Sequence, residues 1–413
     1  MSGKWPGGFI KKTAPTVVGP VDGEGGSASG IWTLDQAADY EQRGLWPAPT
    51  LPRELYAWGN NGIGQLGQGD AGSASHRSSP VQVGALTTWS AVKGASPYGE
   101  HVLATKNDGT LWSWGKGSAG QLGHGNTTAY SSPVQVGALT TWSTMAGGSS
   151  FSAAITTDGK LYAWGQNDTG QLGDGTTVSQ SSPIQVGALT TWSQIHLGSR
   201  HSVATKTDGT LWAWGQNNNG QLGDGTTVNK SSPIQVGALT TWLKVSSGYL
   251  NTQAIKTDGT LWAWGLNNKG QLGDGTTVSK SSPIQIGALT TWLTTASGVY
   301  VSLAVKTDGT LWAWGSNTQG QIGDGTQTNR SSPVQVGALA DWSHAAAGYQ
   351  WSFATKTDGT LWSWGLNTSG ELGLGDSGVG TYRSSPVQIG ALTTWQKDSL
   401  SSSRFSAYAI TKG

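Results

Sequence analysis

About every fifty residues this chain changes three consecutive residues while their surroundings stay nearly fixed. The triplets read Gly99-Glu100-His101, Ser149-Ser150-Phe151, Ser199-Arg200-His201, Tyr249-Leu250-Asn251, Val299-Tyr300-Val301, Tyr349-Gln350-Trp351 and Ser403-Arg404-Phe405. Tyr, Trp, Phe and Arg offer large contact area and fixed donors, which is the chemistry of non-covalent recognition. Neutral drift of loop positions would instead collect Ser, Asn and Lys. Glu100, His101, Phe151, Arg200, His201, Tyr249, Leu250, Asn251, Tyr300, Tyr349, Gln350, Trp351, Arg404 and Phe405 are therefore the candidate binding residues.

Reactive chemistry is harder to find. Asp174, Asp224, Asp274 and Asp324 recur in Gly-Asp-Gly turns, but Gln68, His124 and Leu374 replace them elsewhere. One carboxylate per loop falls short of a calcium site, so a turn-forming role is expected. The six histidines show no zinc-binding spacing, and no Gly-x-Ser-x-Gly, phosphate loop or paired acids appear. The reading is a protein that binds without catalysis, with neither metal nor cofactor.

The elements that must position the triplets follow from the repeat around them. Trp-Gly occurs at Trp58, Trp114, Trp164, Trp214, Trp264, Trp314 and Trp364, 56 residues apart at first and 50 thereafter. Ser202–Lys206 and Leu211–Gly215 alternate and are joined by Thr-Asp-Gly-Thr, a hairpin signal in which Gly supplies the positive φ. Ser231-Ser232-Pro233-Ile234-Gln235-Val236 reads as a further strand opening near a proline. Each unit is thus about four short antiparallel strands, whose tryptophan and leucine faces need a neighbour to cover them. Comparing residues 181–230 with 231–280 gives 14 differences, 11 of them between 193 and 205. Leu55–Gly59 has no preceding strand of the repeat type, and Ser406–Gly413 matches the missing strand. The expectation is a closed seven-bladed β-propeller, all-β, with one blade split between the two ends.

The pattern GxxHSxAxKTDGTLWAWGxNxxGQLGDGT resembles the RCC1-type (regulator of chromosome condensation) repeat, from Leu55 to Gly413. The resemblance implies a propeller closed by a split blade, with the variable triplets on one face near the mouth of a central channel. It does not imply one function, since such propellers serve nucleotide exchange, ultraviolet sensing, enzyme inhibition and scaffolding. Lys plus Arg is 24 and Asp plus Glu 23, a net charge of +1, which argues against nucleic-acid partners and a chromatin role. The Gly-Trp-Arg-His-Thr motif of the ultraviolet-sensing subgroup is absent. No apolar run approaches the 18 residues of a membrane-spanning helix, and the amino terminus lacks a signal-peptide core.

Residues 1–54 do not repeat and read as an extended arm with one short helix, about 33–43. Thr33 with Gln36 makes a capping box, and Gly44 and Pro47 end the helix. So short a helix needs a docking partner for Trp32, Leu34, Tyr40 and Trp46. The segment SASGIWTLDQAADYEQRGLWP is similar to the start of phage and prophage structural proteins. That likeness implies an attachment arm to other virion proteins, a tail- or fibre-type place in the virion, and oligomerisation through the arm. The propeller face (residues 55–413 forming the propeller) would then contact a host surface receptor, protein or glycan, or a neighbouring virion protein. The alternative is a stand-alone protein-binding propeller of inhibitor or scaffold type.

Overall fold

The computed structural model describes residues 53–412 apart from Pro97, Lys397 and Asp398. The expected helix at 33–43 and the arm residues Trp32, Leu34, Tyr40 and Trp46 lie outside the described residues. Seven four-stranded antiparallel sheets form the blades of a β-propeller. In blade 4 the innermost strand is Trp192–Leu197, followed outward by His201–Lys206, Leu211–Gly215 and Lys230–Gln235. Blades 2, 3, 5, 6 and 7 repeat this order, with innermost strands Trp89–Gly94, Trp142–Gly147, Trp242–Ser247, Trp292–Ser297 and Trp342–Ala347. Blade 1 is composite. Its outer strands are Arg77–Gln82 and Leu55–Gly59, and its inner ones are Ser406–Ile410 and Ser401–Ser402. Leu55 pairs with Ile410 and Trp58 with Ala407, so the two ends of the propeller share one sheet.

The core lies between blades rather than inside one. Phe151, Ile155, Leu161 and Leu172 of blade 3 pack on Trp192, Ile195 and Trp214 of blade 4, and comparable clusters fill the other seams. A latch recurs at every seam. The buried indole N–H of Trp214 donates to the backbone carbonyl of Gln171 in the preceding blade at 3.0 Å. Trp114, Trp164, Trp264, Trp314 and Trp364 do the same to Gln65, Gln121, Gln221, Gln271 and Gln321, at 2.9–3.0 Å. Trp58 closes the ring by donating to Glu371 at 2.9 Å. The latch explains a glycine: at Gly173, with φ +81°, an added Cβ would stand 2.6 Å from the Trp214 indole nitrogen. Only a residue without a side chain lets the loop close over the indole.

Most latch carbonyls accept a second hydrogen bond, from Ser152, Ser202, Thr252, Ser302 or Ser352 at 2.8–3.0 Å. Blade 2 has Val102 at that place, paired with Trp114. There the Tyr408 hydroxyl of blade 1 donates to Gln65 instead, at 3.1 Å. The second lone pair is thus satisfied by a different side chain.

The Gly-Asp-Gly carboxylates have turn-forming partners. Asp224 accepts the Thr226 N–H and the Asn217 side-chain N–H, both at 3.0 Å, and Asn217 in turn accepts the Leu222 N–H at 2.9 Å. Lys106, Lys206, Lys256, Lys306 and Lys356 hold their ammonium 3.5–4.5 Å from the centroids of Trp112, Trp212, Trp262, Trp312 and Trp362. Blades 3 and 1 change both members, to Thr156 with Tyr162 and Thr411 with Tyr56. Lysine and tryptophan are kept or exchanged together, as a cation–π pair requires.

Trp214→Phe keeps an aromatic ring but removes the donor at one seam. It is expected to cost about 1–3 kcal/mol, read as a lower denaturant midpoint at an unchanged m-value.

Candidate functional site

In each blade the short connection between the innermost and second strands leaves the same face as the long loop between the third and outermost strands. The Asp-Gly turns and the Gly-Ala-Leu connections leave the other face. The innermost strands line a central channel of about 360 Å³, so the short connections ring one of its mouths. Five of the seven blades send aromatic rings across that mouth. Tyr98 of blade 2 packs on Tyr249 of blade 5, with centroids 4.3 Å apart, and edge-on to Tyr349 of blade 7 at 5.2 Å. Tyr249 meets Tyr300 at 6.4 Å, and Tyr349 meets Phe405 at 5.6 Å.

These rings carry a convergent polar side. Tyr98 has its pKa raised, first by burial, then by its hydrogen bond to Tyr349 and by the neighbouring Tyr349, Tyr300 and Tyr249 hydroxyls. Tyr300 is raised too, by burial and by Tyr249 and Tyr349. The Tyr98 and Tyr300 hydroxyls thus stay neutral donors. The Arg404 guanidinium stacks 5.0 Å from Phe405 and 5.7 Å from Tyr98. Glu100 links this arginine, at 3.9 Å, to Lys116 at 3.3 Å. Further out, Arg200 pairs with Asp168 at 3.0 Å, and Leu250 and Gln350 are half-buried.

The candidate residues separate into two groups. Glu100, Arg200, Tyr249, Leu250, Tyr300, Tyr349, Gln350, Arg404 and Phe405 stand on the connections and are partly exposed. His101, Phe151, His201, Asn251 and Trp351 instead begin the second strands, with 0–1% exposure. Their side chains face the seams and have no surface to give a partner. His101 meets Ser152 of the next blade at 2.9 Å, and His201 meets Thr252 at 3.2 Å. Blade 1 is also offset by a residue. Its strand begins at Ser406, so Phe405 corresponds to Arg200 and Arg404 to Ser199.

Tyr98 was not among the candidates, although it is the ring that bridges the mouth. Its connection runs over residues 95–100, against 198–200 in blade 4. The longer connection puts the tyrosine outside the triplet register. The signal available in the sequence was the extra length of the first repeat interval.

A closed propeller of seven four-stranded blades with a split first blade defines the class of protein. The family model of the RCC1-like domain matches residues 53–406, and the chain belongs to that family. A stretch of 110 residues, 26% of the chain, is 34% identical to the human E3 ubiquitin-protein ligase HERC2. Another of 84 residues, 20% of the chain, is 38% identical to the Arabidopsis thaliana ultraviolet-B receptor UVR8. These matches span 2% and 18% of those proteins' lengths. Among solved structures, Prp20p of Saccharomyces cerevisiae has a TM-score of 0.75 at 21% identity over 87% of this chain and 91% of its own. Human WBSCR16 has 0.76 at 19% identity over 87% and 99%. Both share the fold.

Burial pushes the His101 and His201 pKa values down to about 3, with the Lys116 charge adding to the effect at His101. Unfolding lets each imidazole take up a proton below its ordinary pKa of about 6.5. Their contribution is therefore intact above that pH and is lost as pH falls toward about 3. In His201→Phe, which copies Phe151 of blade 3, the loss of stability between pH 7 and pH 5 should shrink by about 2 kcal/mol. Chemical denaturation at the two pH values measures it.

Proposed function

We propose that this chain is a protein-binding propeller that acts without catalysis and holds its partner at the tyrosine-lined mouth. The observation that carries this reading is the convergence of Tyr98, Tyr249, Tyr300, Tyr349 and Phe405 from five blades around Arg404 and Glu100. Partly exposed aromatic rings on a rigid scaffold, with a stacked guanidinium beside them, favour protein recognition because they lose little conformational freedom on contact. The family adds support. The crystal structure of Prp20p was described with its binding to Gsp1p and histones, and a second structure holds Kap60 bound to that protein.

The tail- or fibre-type reading rests on residues 27–47 alone. The propeller and its family favour the other reading of the sequence, a propeller that binds protein as an inhibitor or scaffold. Its partner need not be a nucleic acid, since opposite charges almost cancel over the chain.

The test is affinity at the mouth. Partners recovered on the immobilised full chain are identified and then titrated against the wild type and against Tyr98→Ala/Tyr349→Ala. The double variant should bind at least tenfold more weakly, while Asp208→Ala on the opposite face leaves affinity unchanged. Equal affinity for the wild type and the double variant would remove the mouth as the binding site.

A further inference from the structure

The lysine–tryptophan pair takes two forms around the ring. In blade 7, Asp341 precedes the tryptophan that begins the innermost strand, where the other blades carry threonine, as at Thr241 and Thr291. The places are equivalent. The backbone carbonyls of Thr241, Thr291 and Asp341 accept the N–H groups of Thr257, Thr307 and Thr357 at 2.8–2.9 Å. The Asp341 carboxylate reaches the Lys356 ammonium at 3.3 Å. That ammonium stands 4.5 Å from the Trp362 centroid, against 3.6 Å for Lys256 over Trp262 and Lys306 over Trp312. A carboxylate thus competes with the ring for the charge. Among the described residues, no carboxylate comes within ion-pair distance of Lys256 or Lys306.

These two lysines lie in open grooves. At the seam of blades 4 and 5, a cavity of about 410 Å³ is lined by Leu239, Trp242, Lys256, Trp262 and Pro283 among others. The next seam repeats it at about 370 Å³, with Leu289, Lys306 and Pro333 in the matching places. Leu239 and Leu289 are exposed. Lys256 and Lys306 are 7% exposed and Lys356 8%, so the three are equally sunk. Yet Lys356 meets a carboxylate whose own side chain is 44% exposed, so an ammonium at this depth is reached from the solvent side. The other charges around the grooves are engaged. Asp224 and Asp274 pair with Lys230 and Lys280 at 3.5 and 3.6 Å, and Asp258 and Asp308 accept from Thr260 and Thr310. Burial lowers the pKa of Lys256 and Lys306, partly opposed by Asp258 and Asp308. The fold has already desolvated these ammonium groups, so an arriving carboxylate gains more than it would from a solvated surface lysine.

We propose that the grooves at these two seams bind an acidic segment of a partner protein, a glutamate or aspartate carboxylate meeting Lys256 or Lys306 as Asp341 meets Lys356. A neighbouring apolar residue of the segment lies against Leu239 or Leu289. Charge selects this occupant: apolar walls alone would take any hydrophobic side chain, whereas a sunken cation admits an acid and rejects a basic residue. Threonine at 241 and 291 is shorter than aspartate, and leaves free the space that Asp341 fills in blade 7.

A fluorescein-labelled peptide of repeated Gly-Glu-Leu units and its glutamine counterpart are titrated against the full chain by fluorescence anisotropy. The glutamate peptide is expected to bind at least about tenfold more tightly. Thr241→Asp/Thr291→Asp copies blade 7, should fold, and should remove that preference by filling both grooves from within. Val228→Asp/Val278→Asp places the same added charge on exposed loop positions outside the grooves, and should leave the preference intact. Equal affinity for the two peptides, or a preference that survives Thr241→Asp/Thr291→Asp, would overturn the site. An equal loss in Val228→Asp/Val278→Asp would show attraction to net charge alone and overturn it too. Tyr98→Ala/Tyr349→Ala should bind the peptide as the wild type does; weaker binding there would place the segment at the mouth and not in the grooves.

Discussion

Each blade is tied to the one before it by a tryptophan N–H buried against a backbone carbonyl, and the rest of the architecture follows from making that bond seven times. The donor must sit on the third strand, and the acceptor must be carried over the seam by the Gly-Gln-Leu-Gly loop. A glycine must clear the indole where the loop passes over it, as Gly173 does at Trp214. Burying the indole also fixes the distance between blades, so the apolar side chains of the two sheets meet at one spacing around the ring. Burying an indole N–H costs free energy that the facing carbonyl offsets at the third-strand tryptophans. Ring closure then depends on Trp58 and Glu371 meeting as though they were neighbours in sequence.

That requirement separates what is constant from what is free. Residues that make the latch, the Asp-Gly turn or the lysine–tryptophan pair recur from blade to blade, and where one member changes its partner changes too. The connections at one mouth carry no such duty, because they bridge two strands already held by the sheet. Tyrosine, arginine and glutamate collect there, and their contacts run across the channel, as Tyr98 to Tyr249 does, as well as between adjacent blades, as Tyr349 to Phe405 does. Under the mouth the apolar seam pattern is broken in blade 5, which buries Gln253 where the other blades bury apolar residues or Tyr408. Local departures from an otherwise strict repeat are where function is expected to sit.

Much of this was legible in the sequence, and the limits have physical causes. The Trp-Gly period, the Asp-Gly hairpin and a terminal strand matching the first blade are local patterns, and together they specify a closed ring of seven blades. The side-chain direction of the last residue in each triplet was not legible. His101, Phe151, His201, Asn251 and Trp351 begin a strand, and the alternation of that strand turns them into the seam. Tyr98 escaped because a longer connection shifts it out of register, and its contacts with Tyr249 and Tyr349 join residues more than 150 positions apart. Single-chain patterns carry no trace of such pairs. The second acceptor bond made by Tyr408 in place of a serine is hidden for the same reason.

The central claim is that the ring is one cooperative body, closed by the pairing of Leu55–Gly59 with Ser406–Ile410. Removing residues 406–413 and following tryptophan fluorescence through denaturation tests it most directly. Loss of this strand leaves Trp58 and the neighbouring seams uncovered. The account predicts a broad transition at a much lower midpoint, with the original transition regained when a peptide of residues 406–413 is added. A truncated chain that unfolds at the wild-type midpoint with the wild-type m-value would contradict it.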